Sequence, residues 1–302
     1  MQQFLEYSDE VKQALRNNQP VLALESTIIT HGLPYPNNLE TAQLVEQIAR
    51  EEGAIPATIA IMNGKVKIGL SAAELQQLAE DKHAVKASPR DISFALSQRH
   101  NAGTTVAATM FCAAAAKIQV FATGGIGGVH RGNDYDISAD LIELSRTPVA
   151  VVCAGVKAIL DIPRTLEYLE TVGVPVIGYR TDTFPTFYSH GNKYKLANKI
   201  NEIADIAQLI DTHWKLGLSS GILVSNPIPA IDAIPEEIIE PVILAALQLV
   251  ERNQITGKAV TPFLLKEVVK ATEGKSMSSN IALIKNNARV GAQLACSVAS
   301  FR

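Results

Sequence analysis

Two side chains stand where a buried sheet would make them reactive. Lys157 follows the apolar run Val149–Cys153 by four residues. If Ala154-Gly155 opens a helix, that amine lies at the positive end of the helix dipole beside a buried strand. Both features favour a neutral, nucleophilic amine. Such an amine attacks a sugar C1 or a carbonyl carbon and gives a Schiff base. The plainer alternative is a lysine whose stem covers an exposed first turn. Glu25 ends the run Val21–Leu24 and precedes Ser26-Thr27. In a cleft, burial would keep it protonated and suit it to a general acid; otherwise it pairs with a cation at the strand end. Asp136 and Asp140 are four apart, a spacing that puts both carboxylates on one helix face. With Ser138 between them they suit a hard, water-rich cation such as Mg²⁺ or Mn²⁺, although an acidic helix N-terminus gives the same pattern.

Other residues supply charge or close approach. Gly124-Gly-Ile-Gly-Gly128 follows an apolar run, without the Lys-Ser/Thr ending of a Walker loop and without the dinucleotide spacing. Its glycines either bring backbone N–H groups to an anion or make a tight turn. Thr104-Thr105, after Gly103, offers a helix N-terminus for phosphate, and Lys86 adds positive charge. Asn280, early in an amphipathic helix, is either a cap or a ligand. None of the six histidines has zinc-site spacing. Cys153 reads as a small buried residue.

The elements that hold these residues are α/β. The spacing predicts a helix over Leu5–Arg16 and one after Asn38, read as its cap. Thr58–Met62, Asn63-Gly64 and Lys65–Ile68 form a hairpin. Ser71-Ala-Ala-Glu74 is a capping box, and Ser88-Pro89 starts another helix. Thr104–Ala116 and Asp136–Leu144 read as helices. Val120–Thr123, Val149–Cys153, Val174–Gly178 and Gly221–Ser225 read as buried strands. Apolar strands alternating with helices give a three-layer α/β/α fold with a mostly parallel, mixed central sheet. From Pro235 onward only helices are expected, all within a single domain over residues 1–302. Sites in such sheets lie beyond the carboxyl ends of the strands, which singles out Glu25, Thr123, Lys157 and Ser225-Asn226.

Composition excludes more than it names. Of 302 residues, 47% are hydrophobic and 19% charged, with a net charge of −3. That balance argues against nucleic acid or an anionic membrane as partner. Three widely spaced cysteines and an N-terminus without a leader pattern point to a reducing, cytoplasmic setting.

The segments Ala23–Pro36, Thr123–Gly132, Asp136–Leu141, Cys153–Lys157 and Asn280–Ala288, in this order and across nearly the whole chain, resemble the pseudouridine-5′-phosphate glycosidase family. The resemblance implies reversible cleavage of the C–C glycosidic bond of pseudouridine 5′-phosphate to uracil and ribose 5-phosphate. It implies one divalent metal per subunit, usually Mn²⁺, and a homotrimer. Residue by residue, Lys157 matches the nucleophile that holds ribose as an imine, Glu25 the proton donor and Asp136 the metal ligand. Lys86, Val106 and the segment Ser138, Ala139 and Asp140 match substrate contacts. Thr123, His130 and Asn280 fall on polar positions of the family pocket. Val156, beside the nucleophile, is larger than the family pattern leads one to expect.

The chemistry explains these types. In pseudouridine the base leaves from carbon, a poor leaving group. An amine attacking C1′ while an acid protonates the ring oxygen opens the sugar; uracil then leaves as its C5 is protonated. A metal is expected to order water and polar groups around the uracil. The competing readings are another Schiff-base or N-ribosyl sugar-phosphate enzyme and a non-catalytic sugar-phosphate sensor.

Overall fold

The computed structural model describes residues 1–132, 136–191, 193–255 and 257–301. Strand β1 (Leu5–Tyr7) and helix α1 (Asp9–Arg16) are followed by β2 (Val21–Leu24), a π-helical turn over Ile28–Gly32 and α2 (Asn37–Glu51). Next come β3 (Ile55–Met62), β4 (Lys65–Ile68), α3 (Ala72–Glu80), β5 (Val85–Ala87), α4 (Pro89–Ser97), β6 (Ala102–Thr104) and α5 (Val106–Ala115). The middle holds β7 (Val120–Ala122), β8 (Val129–His130), α6 (Ala139–Arg146), β9 (Ala150–Cys153), β10 (Leu160–Asp161) and α7 (Ile162–Thr171). The chain ends with β11 (Val176–Tyr179), β12 (Asn198–Ile200), α8 (Ile203–Lys215), β13 (Ile222–Ser225), α9 (Glu236–Arg252), α10 (Val260–Ala271) and α11 (Lys275–Ala299).

The main sheet runs β1-β4-β3-β2-β7-β9-β13-β11-β12. From β3 through β12 all neighbours are parallel, whereas β4 and β6 pair antiparallel with β3. Every residue of β2, β9 and β13 is buried, as expected of strands covered on both faces. Helix α11 packs between α2 and α8 against β2, β7 and β9. Its Gly291 lies so near the sheet that an added Cβ would stand 2.9 Å from Ala122 Cβ. Helix α5 packs between α4 and α6. This is the three-layer mixed fold expected, with the C-terminal helices over the sheet. Among the described residues no helix is long and apolar enough to cross a membrane.

Several local expectations are corrected. The Leu5–Arg16 helix begins only at Asp9, because Ser8 accepts from Val11 N at 3.3 Å as its cap; Leu5–Tyr7 instead joins β4 as an edge strand. Asn38 does not cap α2. It lies inside the helix, buried, and donates to Ile29 O at 2.7 Å and Ala79 O at 2.9 Å. Thr104 ends β6, and Thr105 caps α5. No helix starts at Ala154-Gly155: Gly155 has φ +83°, and its Cβ would lie 2.2 Å from Pro185 O. The next helix begins at Ile162, capped by Asp161. Asp136 precedes α6 rather than lying in it.

Candidate active site

The sheet register brings the key groups together. Leu24 of β2 stands opposite Ala122 of β7, and Ala122 opposite Val152 of β9. The residues that follow these strands, Glu25, Thr123 and the Cys153–Lys157 segment, therefore emerge side by side at the carboxyl edge. Lys157 is in an irregular loop, fixed by Lys157 N donating to Ile126 O at 3.0 Å. Thr123 Oγ1 donates a short hydrogen bond to Glu25 Oε1. Burial raises the Glu25 pKa, the charge of Asp140 pushes the same way, and Lys157, the Thr123 hydrogen bond and Lys86 oppose them. The net result is a carboxyl group inclined to keep its proton, beside an amine.

Two adjoining cavities share Glu25, Thr27, Lys86, Lys157 and Thr261. The larger, about 440 Å³, is also lined by Val106, His130, Asp136, Ser138 and Ala139. The smaller, about 60 Å³, is also lined by Asn280, His31 and Phe187. A wider groove of about 950 Å³ lies around Trp214 and Ile118, at the amino ends of the strands and away from these groups. Of the sequence candidates, Thr104, Thr123, Ser225 and Asn226 line neither of the two adjoining cavities; the Thr123 hydroxyl is given to Glu25. Val106 is 1% exposed, so what it can offer a ligand is the first N–H of α5. Lys86 is in β5, paired with Gly103 of β6.

The larger cavity collects two helix N-termini. Ser138 caps α6, and Thr105 caps α5 by accepting from Ala108 N. Such ends attract phosphate. Asp140 lines this cavity too, but both its oxygens are engaged: Oδ1 accepts from Ala107 N at 2.9 Å and Oδ2 from Gly127 N at 2.7 Å. It clamps the glycine loop to the start of α5. Gly127 has no room for a Cβ, which would come 2.2 Å from Ser138 Oγ. Ile126 N donates to Gly155 O, so at Ile126 and Gly127 the loop spends its N–H groups inside the protein. Of the two readings of these glycines, a structural junction describes these positions.

Sequence reasoning missed Asn287, a fully buried amide on α11. It donates to Thr123 O at 2.8 Å and accepts from Asn226 Nδ2 at 2.9 Å, tying the Glu25 partner to the end of β13. Its signal was a polar residue amid the apolar spacing Leu283, Ala288 and Val290. His31, on the π-helical turn, and Thr27 were likewise not singled out for the lining.

Among the described residues one carboxylate here, Asp136, is open to a divalent ion. The Asp136 side chain is 41% exposed, with Oδ2 3.8 Å from His130 Nδ1. Burial lowers the His130 pKa against the pull of Asp136, which favours a neutral ring beside that carboxylate. The pairing of Asp136 with Asp140 on one helix face is corrected, since Asp140 is turned to backbone N–H groups. Among the described residues no three His, Cys, Asp or Glu side chains cluster for a metal. The arrangement fits an ion that keeps most of its shell as water, not a protein cage.

The family model described as indigoidine synthase A like protein matches residues 10–297. The chain belongs to this family. It is 56% identical to pseudouridine-5′-phosphate glycosidase of Caldanaerobacter subterraneus subsp. tengcongensis, over 98% of this chain and 97% of that one. It is 54% identical to the enzyme of the same name from Geobacillus kaustophilus, over 98% of this chain and 99% of that one. Among solved structures, the prealnumycin C-glycosynthase AlnA in complex with ribulose 5-phosphate superposes with a TM-score of 0.92 at 39% identity, covering 99% of this chain and 98% of that one. An indigoidine synthase A-like protein from Thermotoga maritima gives 0.90 at 33%, covering 98% and 97%.

Proposed function

We infer that the chain is a pseudouridine-5′-phosphate glycosidase, cleaving the C–C glycosidic bond to give uracil and ribose 5-phosphate. The observation that carries this is the meeting of Glu25 and Lys157, from separate strand ends, at one cavity that also holds two helix N-termini. Relatives of that name, more than half identical over nearly the whole chain, support it.

In this reading the phosphate is held at the starts of α5 and α6, by the N–H groups of Val106 and Ala139 with Lys86. That anchors the sugar with C1′ toward Lys157. The amine attacks C1′ while Glu25 gives its proton to the ring oxygen, and the sugar opens. Protonation at uracil C5 breaks the C–C bond and leaves an imine between C1′ and Lys157 Nζ. Water adds to the imine carbon and frees the aldehyde; in the net balance one water supplies the aldehyde oxygen and the equivalent of the two protons gained by C5 and the former ring oxygen. Asn280 offers both an N–H and a C=O, which match the alternating edge of uracil. His130, kept neutral by burial, offers a ring nitrogen to the substrate hydroxyls. Thr123 acts through Glu25.

Asp136, with water, would hold the Mn²⁺ ion, which when bound supplies positive charge and ordered water to the larger cavity. Chelation should then lower the rate and added Mn²⁺ restore it; full activity of a metal-free preparation would remove this role from Asp136. The reading also assigns a homotrimer working in the cytoplasm, supported for the compartment by three unpaired cysteines.

Borohydride treatment during turnover should leave a ribose-phosphate adduct on Lys157, read by mass spectrometry, with uracil released. Lys157→Ala should bind substrate and lose turnover by orders of magnitude. Absence of both adduct and uracil would defeat the assignment. A second reading, C-glycoside chemistry on a ring other than uracil, is favoured by the likeness to prealnumycin C-glycosynthase. An adduct formed from ribose 5-phosphate without any turnover of pseudouridine 5′-phosphate would favour it.

A further inference from the structure

Glu25 also borders a third cavity, of about 30 Å³, between the sheet and helices α2 and α11; its other walls include Leu24, Thr41, Thr58, Thr123 and Ile284. Its position follows from register. Thr58 of β3 stands opposite Leu24 of β2, one residue short of Glu25, and α2 lies over this part of the sheet. Thr58 Oγ1 donates to Glu46 Oε1 of α2 at 2.6 Å. Glu46 is half-buried, so one end of this hydrogen bond reaches solvent and the other faces the cavity behind Glu25.

We propose that Glu46 is the outer end of a proton path that recharges Glu25 through the Thr58 hydroxyl and one water in this cavity. A water needs only ~10–15 Å³ and two to four polar partners, and Glu25, Thr41 and Thr58 can supply them. The path rests on the glycosidase reading, because it replaces the proton that Glu25 gives to the ring oxygen. The step balances: the Glu46 proton passes to Thr58 Oγ1, the Thr58 proton to the water, and a water proton to the Glu25 carboxylate. The negative charge moves from Glu25 to Glu46, which then takes a proton from solvent, while the water that hydrolyses the imine returns one proton to solvent through the substrate cavity, so no net proton is gained. With Glu46 ionised, Thr58 donates outward to it; with Glu46 protonated, the hydroxyl turns inward.

Both ends are inclined to hold protons. Burial raises the Glu46 pKa and Glu10 of α1 adds to it, while Thr58 and Arg50 oppose. The charged groups facing Glu25 are Lys157, Lys86 and Asp140. Two carboxyl groups shifted in the same direction exchange a proton at small cost, whereas an ordinary surface carboxylate would hold the charge and stall the transfer.

The test separates the first turnover from later ones. In Glu46→Gln the first turnover uses the proton already on Glu25. Rapid-quench uracil formation should therefore run at the wild-type rate. Steady-state kcat should fall by about tenfold, a fraction of the ~10²–10⁴ contributed by a general acid, with KM little changed. Thr58→Val should behave alike, and Thr58→Ser, which keeps the hydroxyl, should retain wild-type turnover. Wild-type steady-state rates in Glu46→Gln and Thr58→Val would overturn the path, since Glu25 would then be recharged through the substrate cavity. Equal losses in the first and later turnovers would mean a structural role and overturn it too. Uracil release by the wild type is the separate check on the glycosidase reading.

Discussion

At the scale of single residues, the proposed reaction depends on keeping one proton on Glu25 next to an amine. Burial and the Asp140 charge raise the Glu25 pKa against Lys157 and the Thr123 hydroxyl. A general acid works below its pKa, so the contribution of Glu25 should be lost as pH rises through the raised value. A pH profile of kcat/KM would show that limb, and Glu25→Gln should remove it together with a factor of ~10²–10⁴ in rate. A profile whose alkaline limb survives in Glu25→Gln would assign the acid elsewhere. Cys153, four residues before Lys157, does not compete as a nucleophile. Burial pushes its thiol up to about 12, and a thiol that holds its proton at neutral pH is unreactive.

At the scale of elements, Asp140 joins the glycine loop to the start of α5 through two backbone N–H groups. Asp140→Asn keeps the volume but turns an amide donor toward one of those donors. Leaving a buried N–H unpaired costs ~1–3 kcal/mol, which denaturant unfolding would register. The same change removes a negative charge near Glu25, so the alkaline limb of the pH profile should move to lower pH. An unchanged limb would show that Asp140 acts on the fold alone. This clamp also marks what the sequence could and could not convey. The apolar strands Val21–Leu24, Val149–Cys153 and Gly221–Ser225 were legible because strands buried on both faces need uninterrupted apolar residues. The capping box at Ser71 was legible because its hydrogen bonds are local, and it is present. Lys157 was placed at the correct strand end but in the wrong element. Gly155 has a left-handed φ, and Pro185 O, thirty residues on, leaves it no room for a side chain. Asp140 likewise finds its partners on α5 and the glycine loop, and Asn38 finds carbonyls from two other segments. Contacts distant in sequence decide such polar positions, and local spacing does not carry them.

At the scale of the whole molecule, a chain of net charge −3 offers no long-range field to gather partners, so association must rest on apolar surface. Helices α4, α5 and α6 lie side by side, and each leaves an apolar side chain in the open. Phe94 is 61% exposed, Phe111 38% and Ile142 41%. Arg90, Ile142 and Arg146, from the same helices, line the larger cavity, so a subunit seated on this face would also wall the end proposed to hold phosphate. Isolated exposed apolar residues are ordinary, but aromatic and aliphatic side chains grouped beside a ligand site are what interface cores use. If the homotrimer uses this face, sedimentation equilibrium should give three times the 32.4 kDa chain mass. Phe111→Glu, which puts a charge where interface cores exclude one, should shift the mass toward that of a single chain while the far-ultraviolet circular dichroism stays unchanged. A wild-type particle of single-chain mass would refute the trimer. A Phe111→Glu variant that remains trimeric would move the interface to another face.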